Sequence, residues 1–289
     1  MSYRYPVTVM VEWAYPAFTL FGALIFGLAL SHAWPDRRRT TMVVSGLAYG
    51  LLLEQLTILA YEAYSYPVGE YLVTLANVPL AIGLLWASVL YAGYVSARNG
   101  GLTGIAAALF VALFALHVDL AIDAVAIRVP YWEWGRWGEW FGVPLGNFVG
   151  WFWVAVAYGG WWWFVERQWP DLSRMATGAA VVGGIVVPTG GLMVTLAVYD
   201  VLVFPTAGLL AGTAGTVALA IAIVMRAGWQ PHAPPTPIAA IPVVTHVFFL
   251  GVALWLGYGR GLIAIGLVML MVSVLVHLPP KSLSGLREG

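Results

Sequence analysis

The sequence contains no cysteine, a single lysine and few charges of either sign. Without cysteine the chain has no thiolate nucleophile, no iron–sulfur ligands and no disulfide bonds. Because Lys281 lies in the C-terminal tail, no lysine can form a retinal Schiff base inside a span. Charged residues make up 9% of the 289 residues, against about 25% in soluble domains. Such a chain cannot cover a water-facing surface, which excludes soluble enzymes and nucleic-acid-binding proteins.

Histidine is also scarce, with five residues and no HxxxH or HxxHH cluster of the kind that membrane di-iron enzymes need. His117 and His246 lie in apolar segments and could ligate a haem, but interior histidines satisfied by hydrogen bonds are the preferred interpretation. The sequence therefore predicts no metal and no cofactor, and acid–base chemistry remains.

Apolar residues make up 61% of the chain and form long runs. A transmembrane helix needs about 20 mostly apolar residues, and these runs lack the alternation of barrel strands. We predict an all-α polytopic transmembrane helix bundle of about seven to nine spans, forming one integral membrane domain over residues 1–289. The candidate spans are residues 13–31, 41–63, 71–95, 103–124, 143–165, 175–199, 205–225, 238–256 and 262–278.

Basic residues predict the orientation, since cytoplasmic loops of membrane proteins are enriched in lysine and arginine. One set of span ends carries nine of the 13 basic residues, including Arg37, Arg38 and Arg39, and the other set carries four, including Arg128 and Arg136. We assign the first set to the cytoplasm of a multi-pass cell-membrane protein. The N-terminus then lies outside and the C-terminus inside.

Carboxylates in or beside the spans are the most informative residues, because a charge at the bilayer centre costs at least about 2.5–3.5 kcal/mol. They are Glu12, Glu54, Glu62, Asp119, Asp123 and Asp200. All fall in the middle or outer half of the membrane, which predicts a shared polar cavity opening toward the outer leaflet. Glu54 and Asp119 are the deepest and the preferred functional candidates. For the others, hydrogen bonding between helices is preferred, although Asp119 and Asp123, four apart, share a helix face.

The longest irregular segment, residues 125–142, mixes tryptophan with charge on the predicted outer side. Such composition is typical of an interfacial aromatic belt. A lid over a lipid-facing cavity is the alternative.

A set of residues in one part of the sequence is repeated 65 positions later, and we call this internal repeat the echo. Glu54 corresponds to Asp119, Tyr66 to Tyr131, Val78-Pro79-Leu80 to Val143-Pro144-Leu145, and Trp86 to Trp151. Both copies run outward and then inward, so the echo predicts a parallel repeat. It would pair Glu54 with Asp119 across a pseudo-symmetric site.

Three local expectations accompany the echo. Pro144 should lie in the first turn of its span, whereas Pro79 should kink its helix. Asn147 should orient a carboxylate or a water, or else form a plain interhelical hydrogen bond. Close approach of a neighbouring helix is expected at the glycines spaced four residues apart, Gly142, Gly146 and Gly150.

Residues 141–152 read Phe-Gly-Val-Pro-Leu-Gly-Asn-Phe-Val-Gly-Trp-Phe. They resemble the Gly-Val-Pro-Leu-x-Asn-x-x-Gly-Trp signature of a carotenoid biosynthesis membrane-protein family that includes bisanhydrobacterioruberin hydratases and carotenoid 1,2-hydratases. Two further signatures are similar, one from Glu54 through Tyr61, Tyr64, Tyr66 and Val78-Pro79-Leu80 to Trp86, the other from Asp119-x-x-x-Asp123 to Trp132 and Trp134. The resemblance covers about residues 45–165. It departs at Ala124, where the family often has proline, which weakens a role for Asp123.

The resemblance implies a cofactor-independent hydratase that adds water to the terminal (1,2) double bond of an acyclic, long-chain carotenoid reached from the lipid bilayer. A carboxylic acid would protonate the alkene, and water would capture the tertiary cation. Implied roles are Asp119 as acid and Glu54 as partner acid or base, the two being interchangeable, with Asn147 as orienter and Asp123 beside them. Aromatic faces would stabilise the cation. Expected substrate contacts are Tyr61, Glu62, Tyr66, Tyr131, Trp132 and Trp151.

Three alternatives stay open. A carotenoid cyclase would use the same protonation, with an internal alkene capturing the cation. A proton-coupled transporter of lipids or small molecules would need polar residues through both leaflets, and the inner halves of the spans have almost none. A purely structural membrane subunit is the third alternative.

Overall fold

A computed structural model describes residues 13–201 and 206–277 of the chain. Within these ranges the chain forms nine α-helices. They are α1 (Ala14–Ala33), α2 (Arg37–Tyr61), α3 (Leu80–Asn99), α4 (Gly104–Ala126), α5 (Leu145–Gln168), α6 (Arg174–Val201), α7 (Thr206–Arg226), α8 (Thr236–Trp255) and α9 (Arg260–His277). The predicted all-α polytopic bundle is confirmed. Glu12 and the side chain of Asp200 lie outside the described part of the chain.

Eight of the described helices are long and apolar enough to cross a membrane, whereas in α7 the apolar stretch Leu210–Arg226 is shorter. Large apolar side chains point away from the bundle, with Leu20 68% and Val182 61% exposed. Soluble monomers rarely expose contiguous apolar surface on this scale, so lipid is the solvent for these faces. The chain is a multi-pass membrane protein.

The connection between α2 and α3 corrects one predicted span. Residues 71–79, predicted to begin a span, instead lead into a hairpin of β2 (Thr74–Leu75) and β3 (Val78–Pro79). Leu72 is 62% exposed there. Pro79 does not kink a helix but is the extended N-cap residue of α3 (φ −63°, ψ 137°). Its missing N–H costs little at that position, because the first N–H groups of a helix have no intrahelical partner.

A second pair of short strands joins the two connections at this end of the bundle. β1 (Tyr64–Ser65) pairs antiparallel with β4 (Glu133–Trp134). The pairing ties the α2–α3 connection, residues 62–79, to the α4–α5 connection, residues 127–144. We call this region the strand end. The predicted aromatic loop therefore belongs to the strand end.

The opposite end gathers basic side chains. Arg38 donates a hydrogen bond to the carbonyl oxygen of Trp169 over 2.9 Å, and Arg98 Nε lies 3.3 Å from a carboxylate oxygen of Glu166. The deep carboxylates of α2 and α4 lie in the half of the helices next to the strand end. Charge is thus segregated along the bundle axis.

Two helices form the centre of the bundle. Of the apolar spanning windows, 83% of α3 and 78% of α4 are buried, against 28% of α6 and 17% of α9. α2 approaches α3 closely at Gly50, where a Cβ atom would lie 2.5 Å from the Cβ of Trp86. Because residues four apart share a helix face, this contact brings the Trp86 indole beside Glu54.

Candidate active site

A cavity of 590 Å³ opens at the strand end, a volume within the range of small-molecule sites. Helices α2, α3, α4 and α5 and both connections form its walls, and Leu192 of α6 closes one side. The lining residues that carry the chemistry are Glu54, Tyr61, Glu62, Tyr64, Tyr66, Trp86, Asp123, Trp132, Trp134, Arg136, Asn147 and Trp151.

Glu54 is held by three neutral hydrogen-bond donors. The hydroxyl groups of Tyr64 and Tyr66 donate to Oε2 over 2.6 and 2.8 Å, and Trp86 Nε1 donates to Oε1 over 2.7 Å. A carboxylate has about four lone-pair positions, two on each oxygen. Oε2 is therefore fully used, whereas Oε1 keeps one position for a further donor.

The strand geometry explains why two tyrosines reach one carboxylate. Alternate residues of an extended strand point to the same side, so Tyr64 and Tyr66 project together while Ser65 is exposed. The Tyr64 ring also lies 5.0 Å from the Trp134 ring across the β1–β4 pair. Burial of the hydroxyl groups, and then the charge of Glu54, hold the pKa of Tyr64 and Tyr66 well above the usual value. Both remain neutral donors.

A second carboxylate cluster lies on α4. Asn147 Nδ2 donates to Asp119 Oδ2 over 2.9 Å and to Asp123 Oδ2 over 2.7 Å, so each hydrogen of its amide serves one acid. The other oxygen of Asp119, Oδ1, is buried and has no hydrogen-bond partner among the described residues. Two neighbouring carboxyl groups in a buried site repel each other when both are ionised. The pair is therefore suited to hold one proton.

The two aspartates differ in their access to the cavity. Asp123 and Asn147 line the cavity wall. Asp119 is fully buried, at 0% exposed, and lies one turn deeper behind them. Asp119, which its depth within the predicted span favours as the acid, is thus connected to the cavity only through Asp123 and Asn147.

The segments related by the 65-residue echo adopt matching geometry. Pro79 and Pro144 are both extended N-cap residues, with φ −63° and ψ 137° against φ −64° and ψ 139°. Seven residues beyond each proline, Trp86 and Trp151 stack with ring centroids 4.0 Å apart. The two tyrosines of the echo differ, since Tyr66 donates a hydrogen bond to Glu54, whereas its counterpart Tyr131 does not donate one to Asp119.

Tyr131 corrects the predicted set of substrate contacts. Its ring stacks on Phe18 at 4.5 Å, and its hydroxyl donates to the carbonyl oxygen of Ala14 over 3.1 Å. It is fully buried between α1 and the strand end and does not line the cavity. The predicted site residues that do line it are Glu54, Tyr61, Glu62, Tyr66, Asp123, Trp132, Asn147 and Trp151.

Sequence reasoning did not assign Tyr64, Trp86, Trp134 or Arg136 to the site, although all four line the cavity. The Tyr-x-Tyr alternation was the signal for Tyr64. The other three depend on how helices and connections meet, which the local sequence does not encode.

Gly142, Gly146 and Gly150, expected from the sequence to allow close approach of a neighbouring helix, do not contact one within the described ranges of the chain. A Cβ atom at Gly146 or Gly150 would meet no heavy atom within 4 Å, and both residues line the cavity. Gly142 lies in a turn with φ 93°, the left-handed region that favours glycine.

The interior histidines lie apart from the cavity. His117 contacts the carbonyl oxygen of Phe114 through Nδ1 at 2.6 Å and Ser273 Oγ through Nε2 at 2.9 Å. Its ring lies 5.1 Å from that of His246. Among the described residues, no group of three or more histidines and carboxylates is suited to hold a metal ion. The interpretation as a hydrogen-bonded interior histidine is confirmed for His117 but wrong for His246, whose two ring nitrogens are buried with no hydrogen-bond partner in the part of the chain that the structure describes.

Fold and site together define a class, an integral membrane helix bundle whose cavity is lined by buried carboxylates. The family model described as "Carotenoid biosynthesis protein" matches residues 14–225. The chain belongs to the carotenoid biosynthesis protein family. The match extends well beyond residues 45–165 and includes all the cavity residues. No curated protein and no solved structure matches the chain.

Proposed function

We propose that the protein is a cofactor-independent hydratase that adds water to the terminal (1,2) double bond of an acyclic carotenoid. Family membership supports the substrate class. One observation supports the reaction type: Glu54 and Asp123 line one cavity and have different hydrogen-bond partners. An acid and a base on different walls are what hydration of an alkene needs.

The Asp119–Asp123 pair supplies the proton. Because Asp123 lines the cavity, its carboxyl group donates the proton to the less substituted alkene carbon, and Asp119 shares the remaining charge. The other alkene carbon, which carries two methyl groups, becomes a tertiary cation. This assignment moves the donor role from Asp119, which the sequence favours, to Asp123.

Glu54 supplies the base. Water bound at the open lone-pair position of Oε1 attacks the tertiary cation, a carbon–oxygen bond forms, and the released proton passes to Glu54. The net change is the addition of one water molecule. The proton then returns from Glu54 to the aspartate pair through water in the cavity, which restores both groups. Asn147 holds the two aspartates in position throughout.

Aromatic rings stabilise the intermediate. Tyr66, Trp132 and Trp151 line the cavity beside the acids, and a cation over an aromatic face gains about 0.5–2 kcal/mol. The ring faces attract the cation through their quadrupoles and form no bond to it. They favour the cation without trapping it.

Two alternatives fit less well. A cyclase must exclude water from its cation, whereas this cavity presents polar groups of Thr57, Glu62 and Arg136 besides the acids. A proton-coupled transporter needs a path through both leaflets. The inner part of the α2–α5 contact is instead filled by the rings of Tyr49 and Tyr158, whose centroids are 5.4 Å apart.

We propose further that the protein lies in the cell membrane with the strand end outside. The excess of basic residues at the opposite end supports this orientation. Reporter fusions after Arg39 and after Arg136 should give opposite sides, with Arg39 in the cytoplasm. A cytoplasmic Arg136 would contradict an outward-facing cavity.

Co-expression with an acyclic carotenoid tests the reaction. The hydratase predicts pigments heavier by one or two water molecules, depending on whether one or both ends react. Pigments of unchanged mass but altered retention would indicate a cyclase. Unchanged pigments in cells that contain the folded protein would contradict both activities.

A further inference from the structure

One face of α5 borders the cavity, and part of it meets no neighbour. Gly146 and Gly150 are four residues apart and share this face, with no heavy atom within 4 Å of either Cβ position. Gly159 on the same helix differs, because a Cβ there would lie 3.0 Å from the Cα of Ala108. At Gly159 α5 is therefore packed against α4, whereas its face at Gly146 and Gly150 is open.

The opening lies between α2 and α5, where α6 packs against both helices and its buried Leu192 closes one side. Away from the strand end these helices are joined, with Tyr49 donating to the carbonyl oxygen of Val154 over 3.3 Å and Ser45 Oγ 3.2 Å from the Tyr158 hydroxyl. Toward the strand end the cavity takes the place of such contacts. Thr57 of α2 and the two glycines of α5 line the same cavity.

This gap lies at the depth of the acids. With a rise of about 1.5 Å per residue, Gly150 is about 8 Å into α5, Asp123 about 5 Å from the end of α4 and Glu54 about 11 Å from the end of α2. Gly146 is exposed and Gly150 half-buried, so the gap reaches the outer surface of the bundle. That surface is apolar along α6, where Val186 and Val194 are exposed.

We infer that the gap between α2 and α5, bordered by Gly146 and Gly150, is a lateral portal for the apolar chain of the substrate. The inference rests on the proposed function and adds how the substrate lies. The reacting end group occupies the cavity among the acids, and the remainder of a linear polyene extends between the helices into lipid. Glycine is needed at both positions because any larger side chain would occupy the path of the chain.

Bulky substitutions test the portal. Gly150→Phe and Gly146→Phe fill the gap, and Gly160→Phe is the matched control, since Gly160 also has no heavy atom within 4 Å of its Cβ position but lies outside the cavity lining. Each variant is purified in detergent, checked for monodispersity, and assayed with a long acyclic carotenoid and with a ten-carbon alkene that carries the same isopropylidene end.

The portal predicts a selective effect. Gly150→Phe should lower kcat/KM for the long substrate by roughly 10-fold or more relative to the loss for the short one, since only the long chain needs the gap. Gly160→Phe should change neither. Equal losses for both substrates, or undiminished turnover of the long one, would overturn the portal and leave the hydratase proposal intact.

Binding separates the portal from the reaction. If the wild-type protein converts neither substrate, the proposed function fails, and the visible absorption shift of the bound long polyene then decides the portal. A shift present in the wild type and in Gly160→Phe but lost in Gly150→Phe supports the portal. A shift retained in Gly150→Phe, or absent from the wild type, contradicts it.

Discussion

The α2–α3 unit and the α4–α5 unit share a scaffold but surround their acids differently. Each unit leads through an extended proline cap to a tryptophan seven residues on, and the two indoles stack. In the first unit Glu54 accepts from three neutral donors. In the second, Asp119 and Asp123 share the amide of Asn147. Similar backbones thus produce one carboxylate with three donors and one pair of neighbouring carboxyl groups with a single amide between them.

The hydrogen-bond partners account for this difference. Three donors satisfy a carboxylate that bears no proton, whereas two neighbouring carboxyl groups repel each other when both are ionised and therefore favour holding a proton. Under the proposed function, the first arrangement suits a base and the second an acid. Substitutions at Glu54 and at the two aspartates therefore test the two proposed roles separately.

Removing the acid should have the largest effect. Asp123→Asn retains the size of the side chain but no acidic proton, so turnover of an acyclic carotenoid should fall by on the order of 10²–10⁴-fold. Asp119→Asn should cost less, because its side chain does not face the cavity. Product formation per minute by purified, monodisperse protein measures both.

Asp171→Asn at the opposite end is the control for both aspartate variants and should be near normal. A larger loss in Asp119→Asn than in Asp123→Asn would return the donor role to Asp119.

Removing the base should have the next largest effect. Glu54→Gln keeps the shape of the group, yet its amide cannot accept a proton from water, and turnover should fall by on the order of 10²-fold. The rate of alcohol formation measures the loss, with Glu166→Gln as the matched control. Normal turnover in Glu54→Gln would contradict the role of Glu54 as the base and leave it only a structural role between helices.

Weakening the acceptor site should have an intermediate effect. Tyr64→Phe removes one of three donors, and a hydrogen bond to a charged group contributes about 1.5–3 kcal/mol, so kcat should fall by roughly 10-fold with KM nearly unchanged. Tyr91→Phe, which removes a hydrogen bond to His32 at the other end, should leave kcat alone. An equal decrease in both variants would indicate general destabilisation.

The smallest effect is expected where the echo fails. Tyr131→Phe loses a hydrogen bond to the Ala14 carbonyl, worth about 1 kcal/mol of stability, but touches nothing in the cavity. Thermal unfolding in detergent should occur at a slightly lower temperature while turnover is unchanged. A tenfold loss of turnover would restore Tyr131 as a substrate contact.

Much of the fold could be predicted from hydropathy, because each spanning helix needs its own apolar run of about 20 residues. The prediction failed at residues 71–79, since apolar side chains such as Leu72 read alike whether they cross the membrane or lie exposed at its surface. Hydropathy measures how strongly a side chain prefers lipid to water, but it does not show how deep in the membrane that side chain lies.

The acids of the site and the amide of Asn147 could be predicted from the sequence, but the indole that binds Glu54 could not. Glu54, Asp119 and Asp123 are identified by the cost of charge in a span. Depth in the sequence ranks Asp119 first, whereas in the structure Asn147 and Asp123 lie between Asp119 and the cavity. The indole of Trp86 reaches Glu54 only because Gly50 lets two helices approach, a tertiary contact that no local pattern specifies.

Deuterium exchange tests the division of roles most directly. In deuterated water, reversible protonation of the alkene exchanges its vinylic hydrogen even when water cannot add. The account predicts that Glu54→Gln still incorporates deuterium at this carbon of recovered carotenoid, and that Asp123→Asn does not. Exchange in Asp123→Asn but not in Glu54→Gln would contradict the account, since Glu54 would then be the acid.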